Sequence, residues 1–482
     1  MELTRLIELI KDPNRLISAI QNTKTINYEV LRKQYDPMLH DVILDQVKYP
    51  DKTVKTSTGT KVVFVTRLAV PFQEMIVSLR ATFLCGNPIE LNAPVKKDTV
   101  EAKLLEVIQK TWDDNKLDYD SKTLAKLMMS ETDAAELWFS EEAPPDYWKG
   151  TPNEGAKVKL RVRLLANSLG DSLYPIFDKM GDMVAFARGY TLEEEGRKEE
   201  HFDIYTDTDV YVGMKQDNVF TFEPAKKHGF LKIPVIYYSQ PRAEWYNVQN
   251  PIDRLEMSIS RHGNANDYMG FPLMAVYGKI ISFADKGDDG KVIEVEQGGK
   301  IEMVVWPQAP ESVKLEQQNL WDIIYVMSST PKLSGEDLTA AGNYSGAALK
   351  MRFMPCHMKA AEKEEIFGKS IQRRLNFLKS AMGIINQALA PAQNLQLKPK
   401  FKYFLPSNVQ EEINILTQAL LGDKPILSQE TAIDLNPLVE DKEGEKERLQ
   451  AEKDKAQQAQ EALNNGPEGL NGEQNNPLNK VA

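Results

Sequence analysis

The sequence predicts an α+β fold that is mainly helical, in a chain long enough at 482 residues for more than one structural region. Three observations support this prediction. Apolar residues recur at helical spacing towards both ends of the chain, a cluster of short β-rich runs lies between residues 157 and 223, and a smaller β-rich insert follows residue 272. Apolar residues make up 42% and charged residues 27%, which is ordinary for a folded globular protein.

The N-terminal half is predicted to combine helices with a strand meander. Helical spacing runs from Glu2 to Gln46, and Asp12-Pro13 separates the first helix from the next. Further helices are expected over residues 72–84, 100–112 and 121–139, and strands over residues 60–68, 157–165, 183–190, 201–206, 209–214, 219–223 and 233–238. Gly, Asp and Asn turns between the later strands are typical of a meander.

The middle of the chain predicts two helices around a small β unit. Asn250-Pro251, as an N-cap followed by proline, is expected to start a helix that ends at Gly270. Residues 272–310 alternate in hydrophobicity and carry turns at 285–290 and 298–299, and a second helix is expected over 312–328. Residues 329–344 are dense in Gly, Ser, Thr and Pro, which predicts a long loop.

The strongest pattern is a helix over residues 345–389, which would be about 65 Å long at the usual rise per residue. Pro355 is expected to kink or split it, because proline removes a hydrogen bond and crowds the preceding turn. Beyond it we expect a strand over residues 401–405, helices over 409–421 and 428–436, a charged, frayed helix over 440–463 and a disordered tail.

Charge and composition exclude several classes of protein. The formal net charge of -11 disfavours a protein that grips nucleic acid through many phosphate contacts, although a like-charged wall would let DNA slide past. We expect no signal peptide, because the first residues lack an uninterrupted apolar run, and we expect no membrane span, because no apolar run is long enough. Cys85 and Cys356 are expected to be buried free thiols.

Catalytic patterns are weak throughout. Gly368-Lys369-Ser370 resembles the end of a phosphate-binding loop, but it lacks the first glycine and lies in the predicted long helix. Residues 285–296 imitate a calcium loop, yet Gly287 replaces a ligand and strands flank it. The five histidines never fall at ligand spacing. We therefore predict no catalytic, cofactor-binding or metal-binding residue.

The order helix, β insert, helix, Gly-rich loop and very long helix resembles the portal proteins of tailed bacteriophages. The likeness extends from about Phe72 to Lys455, although the insert is compact and the stretch from Trp138 to Trp148 departs from the family pattern. The segments that carry it are Phe72–Glu90, Ile233-Pro234-Val235 with Asn250–Asn266, Gln318–Leu333 with Asn343–Lys350, and Phe404–Asn408 with Glu440–Arg448.

The resemblance implies the portal fold, with wing, stem, clip and crown around an axial channel. The implied regions are the wing at 1–249, stem helix one at 250–270, the clip at 271–311, stem helix two at 312–328, the channel loop at 329–344, the long kinked helix with a wing strand at 345–408, crown helices at 409–463 and a disordered tail at 464–482.

The resemblance also implies a function and partners. The chain would form a homo-oligomeric ring of about twelve subunits at one capsid vertex, through which double-stranded DNA is packaged and ejected. The ring would dock the terminase large subunit and later a head-completion adaptor, and would contact capsid and scaffold proteins. It would assemble in the host cytoplasm, without a membrane and without a cofactor.

Three groups of residues are expected to serve these roles. The channel loop would present Lys332, Ser334, Gly335, Asn343, Tyr344 and Lys350 to DNA, and the clip would present Asp285, Lys286, Asp288 and Asp289 to a partner. Leu255, Ile259, Trp321 and Ile324 are expected to pack the stem. A two-helix hairpin with a small β cap cannot bury both apolar faces alone, so Leu255, Trp321 and Ile324 are expected to need neighbouring copies.

Two alternatives remain open at this point. The chain would be another virion structural protein, such as an adaptor or capsid component, if its long helix packs on its own chain and its particles lack an axial hole. It would be an ATP-driven packaging enzyme if purified protein hydrolyses ATP, although the sequence offers no phosphate-binding loop.

Overall fold

The N-terminal segment is helical, as predicted, with α1 (Leu3–Leu9), α2 (Pro13–Gln21), α3 (Tyr28–Tyr35) and α4 (Asp41–Leu44). The predicted break is confirmed, because Asp12 caps α2 by accepting a hydrogen bond from the Arg15 amide and Pro13 takes the first helical position. The computed structural model describes residues 2–56, 59–194, 196–217, 219–269, 273–282, 294–304, 309–332, 346–403, 409–421, 425–439 and 441–464.

A short hairpin follows, formed by β1 (Lys52–Thr56) and β2 (Gly59–Val63). The strand predicted over residues 60–68 is therefore correct only in its first part. Residues 65–70 leave the hairpin and bind a helix through their amide groups, as described below. Helix α5 (Phe72–Cys85) then begins directly after Pro71, as predicted.

Helices α6 (Val100–Asp114) and α7 (Leu117–Glu131) lie in the main core, but the prediction of one helix over 121–139 is wrong beyond residue 131. Thr132 adopts a left-handed backbone with φ 71°, which ends α7. The following residues form β4 (Asp133–Glu142), which lies between β5 (Val158–Leu165) and β12 (Val235–Ser239). Pairing on both edges outweighs the helical spacing of the local sequence.

The meander is confirmed as an antiparallel sheet in the order β10-β9-β8-β7-β6, except that the run predicted at residues 157–165 is not part of it and pairs, as β5, with β4. Its strands are β6 (Asp171–Phe177), β7 (Met183–Glu194), β8 (Arg197–Tyr205), β9 (Asp209–Gln216) and β10 (Val219–Phe222), and β11 (Lys226–Lys227) also pairs with β9. The sequence-based prediction missed β6, which contains Pro175. A proline is tolerated there because β6 is the last strand of the sheet.

The middle of the chain agrees with the predicted pair of helices and small β unit. Helix α8 (Gln249–Met269) and helix α9 (Ala309–Met327) flank β13 (Leu273–Tyr277), β14 (Ile280–Ser282), β15 (Glu294–Val295) and β16 (Lys300–Val304). Strand β13 pairs with β16, and β14 pairs with β15. Asn250 is not the N-cap that we expected, because α8 already begins at Gln249 after a 3-10 turn at Tyr246–Val248.

The long helix is confirmed as α10 (Gly346–Ile385), which has 40 residues. Pro355 lies inside α10 without dividing it. A 3-10 helix, Gln387–Asn394, follows and includes Leu389. The strand expected over 401–405 lies earlier, as β17 (Lys398–Lys400), which pairs with β3 (Glu90–Asn92). Phe401 instead packs its ring against Phe367 of α10.

The described chain divides into two compact units. The larger contains the residues up to 332 together with 351–403, and its main core holds Cys85 as the predicted buried thiol. The smaller contains residues 346–350 and 409–464, with α11 (Val409–Leu420), α12 (Gln429–Leu435) and α13 (Lys442–Asn464). Ser428 caps α12, as the predicted boundary requires. None of the helices described is long and apolar enough to cross a membrane.

Candidate functional site

Helices α8 and α9 form a pair whose inner side rests on the main core. Arg254 of α8 and Glu316 of α9 join the helices through an ion pair of 2.6 Å at the surface. Beneath it, the ring of Trp321 meets the ring of Phe72 from α5, with centroids 4.7 Å apart. Helix α5 therefore supplies an apolar floor to the helix pair.

This floor corrects one expectation about stem packing. The side chains of Leu255 and Ile324 are both 0% exposed within the single chain, so they do not need a neighbouring copy for burial. Trp321 and Ile259 are partly buried and pack against the same core. The expectation failed because α5 lies far from both helices in sequence, and its side chains cover the inner face.

A polar stripe on α8 binds an extended segment of the chain. The side-chain oxygens of Glu256, Ser260 and Asn264 accept hydrogen bonds from three amides, those of Val70 at 2.8 Å, Leu68 at 2.9 Å and Thr66 at 2.8 Å. Four residues of a helix advance about 6 Å along its axis, and two residues of an extended chain advance about 6.6 Å. Every fourth side chain of α8 therefore meets every second amide of the segment. The segment thus satisfies its amides on a helix face instead of in a sheet.

Close contact accompanies these bonds. A Cβ added at Gly263 would lie 3.2 Å from Thr66 Cγ2, and the Thr66 hydroxyl donates to Asp267 at 2.9 Å. The apolar positions of this helix alone did not predict the stripe. Glu256, Ser260 and Asn264 recur every four residues, and this repeat was the available indication.

The outer side of α9 carries a row of exposed apolar residues, which we call the α9 ridge. Its members are Leu315, Ile323, Val326 and Met327, and their exposed fractions range from 42% to 68%. Helix α10 carries a second row, formed by Met351, Met354 and Met358 at helical spacing, each more than half exposed. Rows of exposed apolar side chains of this kind are typical of a protein interface.

The end of α9 is held by contacts from two other helices. Arg80 of α5 donates through Nη2 to the Ser328 carbonyl at 2.5 Å. The Cys356 thiol of α10 donates to the Ser329 carbonyl at 3.1 Å, and Ser329 has a left-handed backbone with φ 51°. The chain therefore turns sharply, at a defined place, just before residues 333–345.

A buried charge cluster supports this turn. Glu244 lies between Arg80, at 3.2 Å, and Lys363 of α10, at 2.6 Å. One carboxylate between two cations ties α5 to α10 at the point where α9 ends.

Burial raises the pKa of the Cys356 thiol, and it raises the pKa of Cys85 to about 12, so both thiols are protonated at neutral pH.

The structure describes few of the predicted DNA-contacting residues. Lys332 is exposed, its Nζ lies 3.3 Å from Asp322, and its carbonyl accepts from Arg352 of α10 at 3.3 Å. That last bond brings the start of the expected channel loop close to the beginning of α10. The backbone of Lys350 lies in α10. The following predicted residues lie outside the described part of the chain: Ser334, Gly335, Asn343, Tyr344, Asp285, Lys286, Asp288 and Asp289.

The Gly368-Lys369-Ser370 triplet lies inside α10, as predicted. The Ser370 hydroxyl donates to the Tyr237 carbonyl at 2.9 Å, and a Cβ at Gly368 would touch Phe401. A phosphate-binding loop needs several free amides that point to one place, and a helix interior uses its amides internally. The triplet is therefore a packing feature.

Comparison with known proteins identifies one matching family model and one similar solved structure. A family model described as "Phage portal protein, SPP1 Gp6-like" matches residues 15–459. One similar solved structure is described as "Neck of empty GTA particle computed with C6 symmetry"; it is 10% identical, the match covers 77% of this chain and 90% of that chain, and the TM-score is 0.43. No curated protein sequence matches the chain.

The family match defines a structural protein of a phage particle. Because the family model spans most of its length, the chain belongs to the SPP1 Gp6-like family of phage portal proteins. The prediction of a portal protein with an α+β, mainly helical fold is confirmed. Members of this family are structural components of the portal vertex, where they form an oligomeric assembly on the capsid.

Proposed function

We propose that the chain forms a closed ring of about twelve identical subunits around an axial channel, through which double-stranded DNA enters and leaves the capsid. The observation that carries this proposal is the α9 ridge. Its inner neighbours Leu255 and Ile324 are covered by the chain itself, whereas Val326 and Met327 are at least 60% exposed. Identical copies around one axis would cover a row of this kind.

The regions inferred from the family resemblance fit the helix pair. In the proposal α8 and α9 are the two stem helices, and β13 to β16 form the clip. Helices α11 to α13 form the crown, and α1 to α7 with the meander form the wing. The turn at Ser328 and Ser329, held by Arg80 and Cys356, then marks the border between the stem and the channel loop.

The electrostatics suit passage of DNA better than retention. With a net charge of -11, a ring of many copies is strongly acidic overall, and repulsion keeps a duplex from adhering. Lys332 in the loop and Lys350 at the start of α10 would supply isolated weak contacts with phosphates. The Lys332 ammonium already forms an ion pair with the Asp322 carboxylate, which weakens its attraction to a phosphate further.

The proposed partners follow from this position at the vertex. The clip would dock the terminase large subunit during packaging and a head-completion adaptor afterwards, through Asp285, Lys286, Asp288 and Asp289. The wing would contact capsid and scaffold proteins during assembly in the host cytoplasm. The ring itself would catalyse no reaction, and the hydrolysis that drives packaging would belong to the terminase.

Electron microscopy of the purified full-length protein tests the proposal. We expect ring-shaped particles with a stain-filled centre, because a channel must remain open along the axis. Compact monomers or dimers without a central hole, at every protein concentration used, would contradict it. ATP turnover by the purified rings that disappears in a Lys369→Ala variant would contradict the absence of catalysis.

A further inference from the structure

His40 lies buried where three parts of the chain meet. Its side chain is 4% exposed, in the short connection between α3 and α4. The ring Nδ1 lies 2.7 Å from Glu256 Oε1 of α8, and the ring Nε2 lies 2.9 Å from the carbonyl oxygen of Gln34. The same Glu256 oxygen accepts the Val70 amide at 2.8 Å. The His40 ring therefore joins the N-terminal helices to α8, at the carboxylate that also binds the extended segment.

These partners determine the protonation of the ring. A carbonyl oxygen has no hydrogen to donate, so Nε2 must carry a proton to bond with Gln34. Glu256 Oε1 already accepts from the Val70 amide, and an ionised carboxylate only accepts, so Nδ1 must carry a proton as well. A neutral imidazole has one N–H and can donate a hydrogen bond to only one of these two acceptors. With Glu256 ionised, the doubly protonated, positively charged ring is the form that donates to both acceptors.

The charges around the ring favour that form. Burial alone lowers the pKa of His40, but the hydrogen bond and the negative charge of Glu256 oppose it, and the Gln34 carbonyl and Asp253 add to this opposition. The net effect raises the pKa of His40 above its usual value. Asp41, Lys48 and Tyr49 of its own segment and Lys33 of α3 are the other titratable groups nearby.

We propose that His40 is a pH-dependent latch that holds the segment from α3 to α4 against α8. In the charged state both ring nitrogens donate, and the segment is fixed to the helix. Loss of one proton leaves a ring nitrogen facing an acceptor, so one of the two bonds is replaced by repulsion between lone pairs. Gln34 belongs to the same segment as His40, so only the bond to Glu256 crosses to α8. In the neutral ring the Gln34 carbonyl and the Glu256 carboxylate compete for a single N–H, so the segment is held to α8 less firmly. This latch lies within one chain and does not depend on ring formation.

The direction of the effect follows from linkage. A histidine whose pKa is raised on folding contributes its full stabilisation below its unfolded pKa of about 6.5 and loses it as the pH rises through the folded value. The latch is therefore closed in mildly acidic solution and opens as the solution becomes alkaline. Opening would expose Val42, which is 1% exposed in the closed arrangement.

Hydrogen exchange of the full-length protein between about pH 6 and about pH 9, corrected for intrinsic exchange rates, tests the latch. We expect the amides of residues 37–44 to lose protection as the pH rises. His40→Gln should show low protection that hardly changes with pH. Glu256→Gln removes the charge that raises the pKa, so it should move the loss of protection to lower pH.

His228 provides a matched control, because it lies in another part of the fold and its ring also bonds a carbonyl oxygen, that of Thr206, at 3.1 Å. His228→Gln should keep the wild-type pH dependence at residues 37–44. The latch is wrong if protection in the wild type does not change with pH, or if His40→Gln retains the wild-type pH profile. Ring formation can succeed or fail independently of either result.

Discussion

Arg374 and Glu136 show how single residues hold the larger unit together. Both side chains are 0% exposed, and Arg374 bonds the two carboxylate oxygens through Nε at 2.9 Å and Nη2 at 2.7 Å. The Ser121 hydroxyl receives a third bond from Nη1 at 2.8 Å. The pair joins α10 to β4 and α7, which are separated from it by more than two hundred residues of sequence.

Arg374→Met should destabilise the larger unit by about 3–5 kcal/mol, because it leaves the Glu136 carboxylate buried without a counter-charge. Urea unfolding followed by tryptophan fluorescence measures this loss. The double variant Arg374→Met/Glu136→Leu is the control, since removing both charges should recover most of the stability. A loss below about 0.5 kcal/mol in the single variant would show that the pair does not stabilise the fold.

At the scale of elements, side chains of α8 bind the amides of the extended segment at residues 65–70 and so fix its position. Ser260 is the central member of the polar stripe on α8, is 4% exposed, and accepts the Leu68 amide. Ser260→Ala should cost about 1–3 kcal/mol, because it leaves a buried amide without an acceptor. Thermal unfolding and the exchange rate of the Leu68 amide measure the effect.

Ser258 is the matched control for this variant, since it is a buried serine on the same helix and does not bond the segment in the part of the chain described. Ser258→Ala should leave exchange at Leu68 unchanged. Equal effects of the two variants on that amide would show that the stripe does not fix the segment.

Helices were predicted well at this scale where one apolar face repeats over many residues, as in α10, α6 and α8. Helix and strand were confused where tertiary pairing decides between them. Residues 133–139 follow helical spacing but pair on both edges as β4, and β6 contains a proline that only its place at the sheet edge permits. The spacing of apolar residues within one segment does not show which strands pair with it or whether it lies at a sheet edge.

The candidate site was predicted in the same uneven way. Leu255 and Ile324 were expected to need neighbouring copies, but both are buried in one core with Phe72 of α5, which is more than 180 residues away in sequence. The Arg80, Glu244 and Lys363 cluster and the His40 pair with Glu256 also join distant segments. A single sequence shows the types of these residues and not their proximity.

For the whole molecule, the central claim is that identical copies cover the α9 ridge and so close a ring. Ile323 and Val326 lie on its outer side, and neither belongs to the buried core. Replacing both with aspartate should therefore leave the fold of the chain intact and place charges in the interface between copies. Met180, which is 89% exposed on the turn after β6, offers a control position away from the ridge.

The most direct measurement is the mass of the purified particles in solution, by native mass spectrometry or mass photometry, for the wild type, Ile323→Asp/Val326→Asp and Met180→Asp. The account predicts a single large multiple of 54.6 kDa for the wild type and for Met180→Asp, and folded particles of 54.6 kDa for the double variant. A wild-type mass of one chain at every concentration, or unchanged assembly of the double variant, would contradict it.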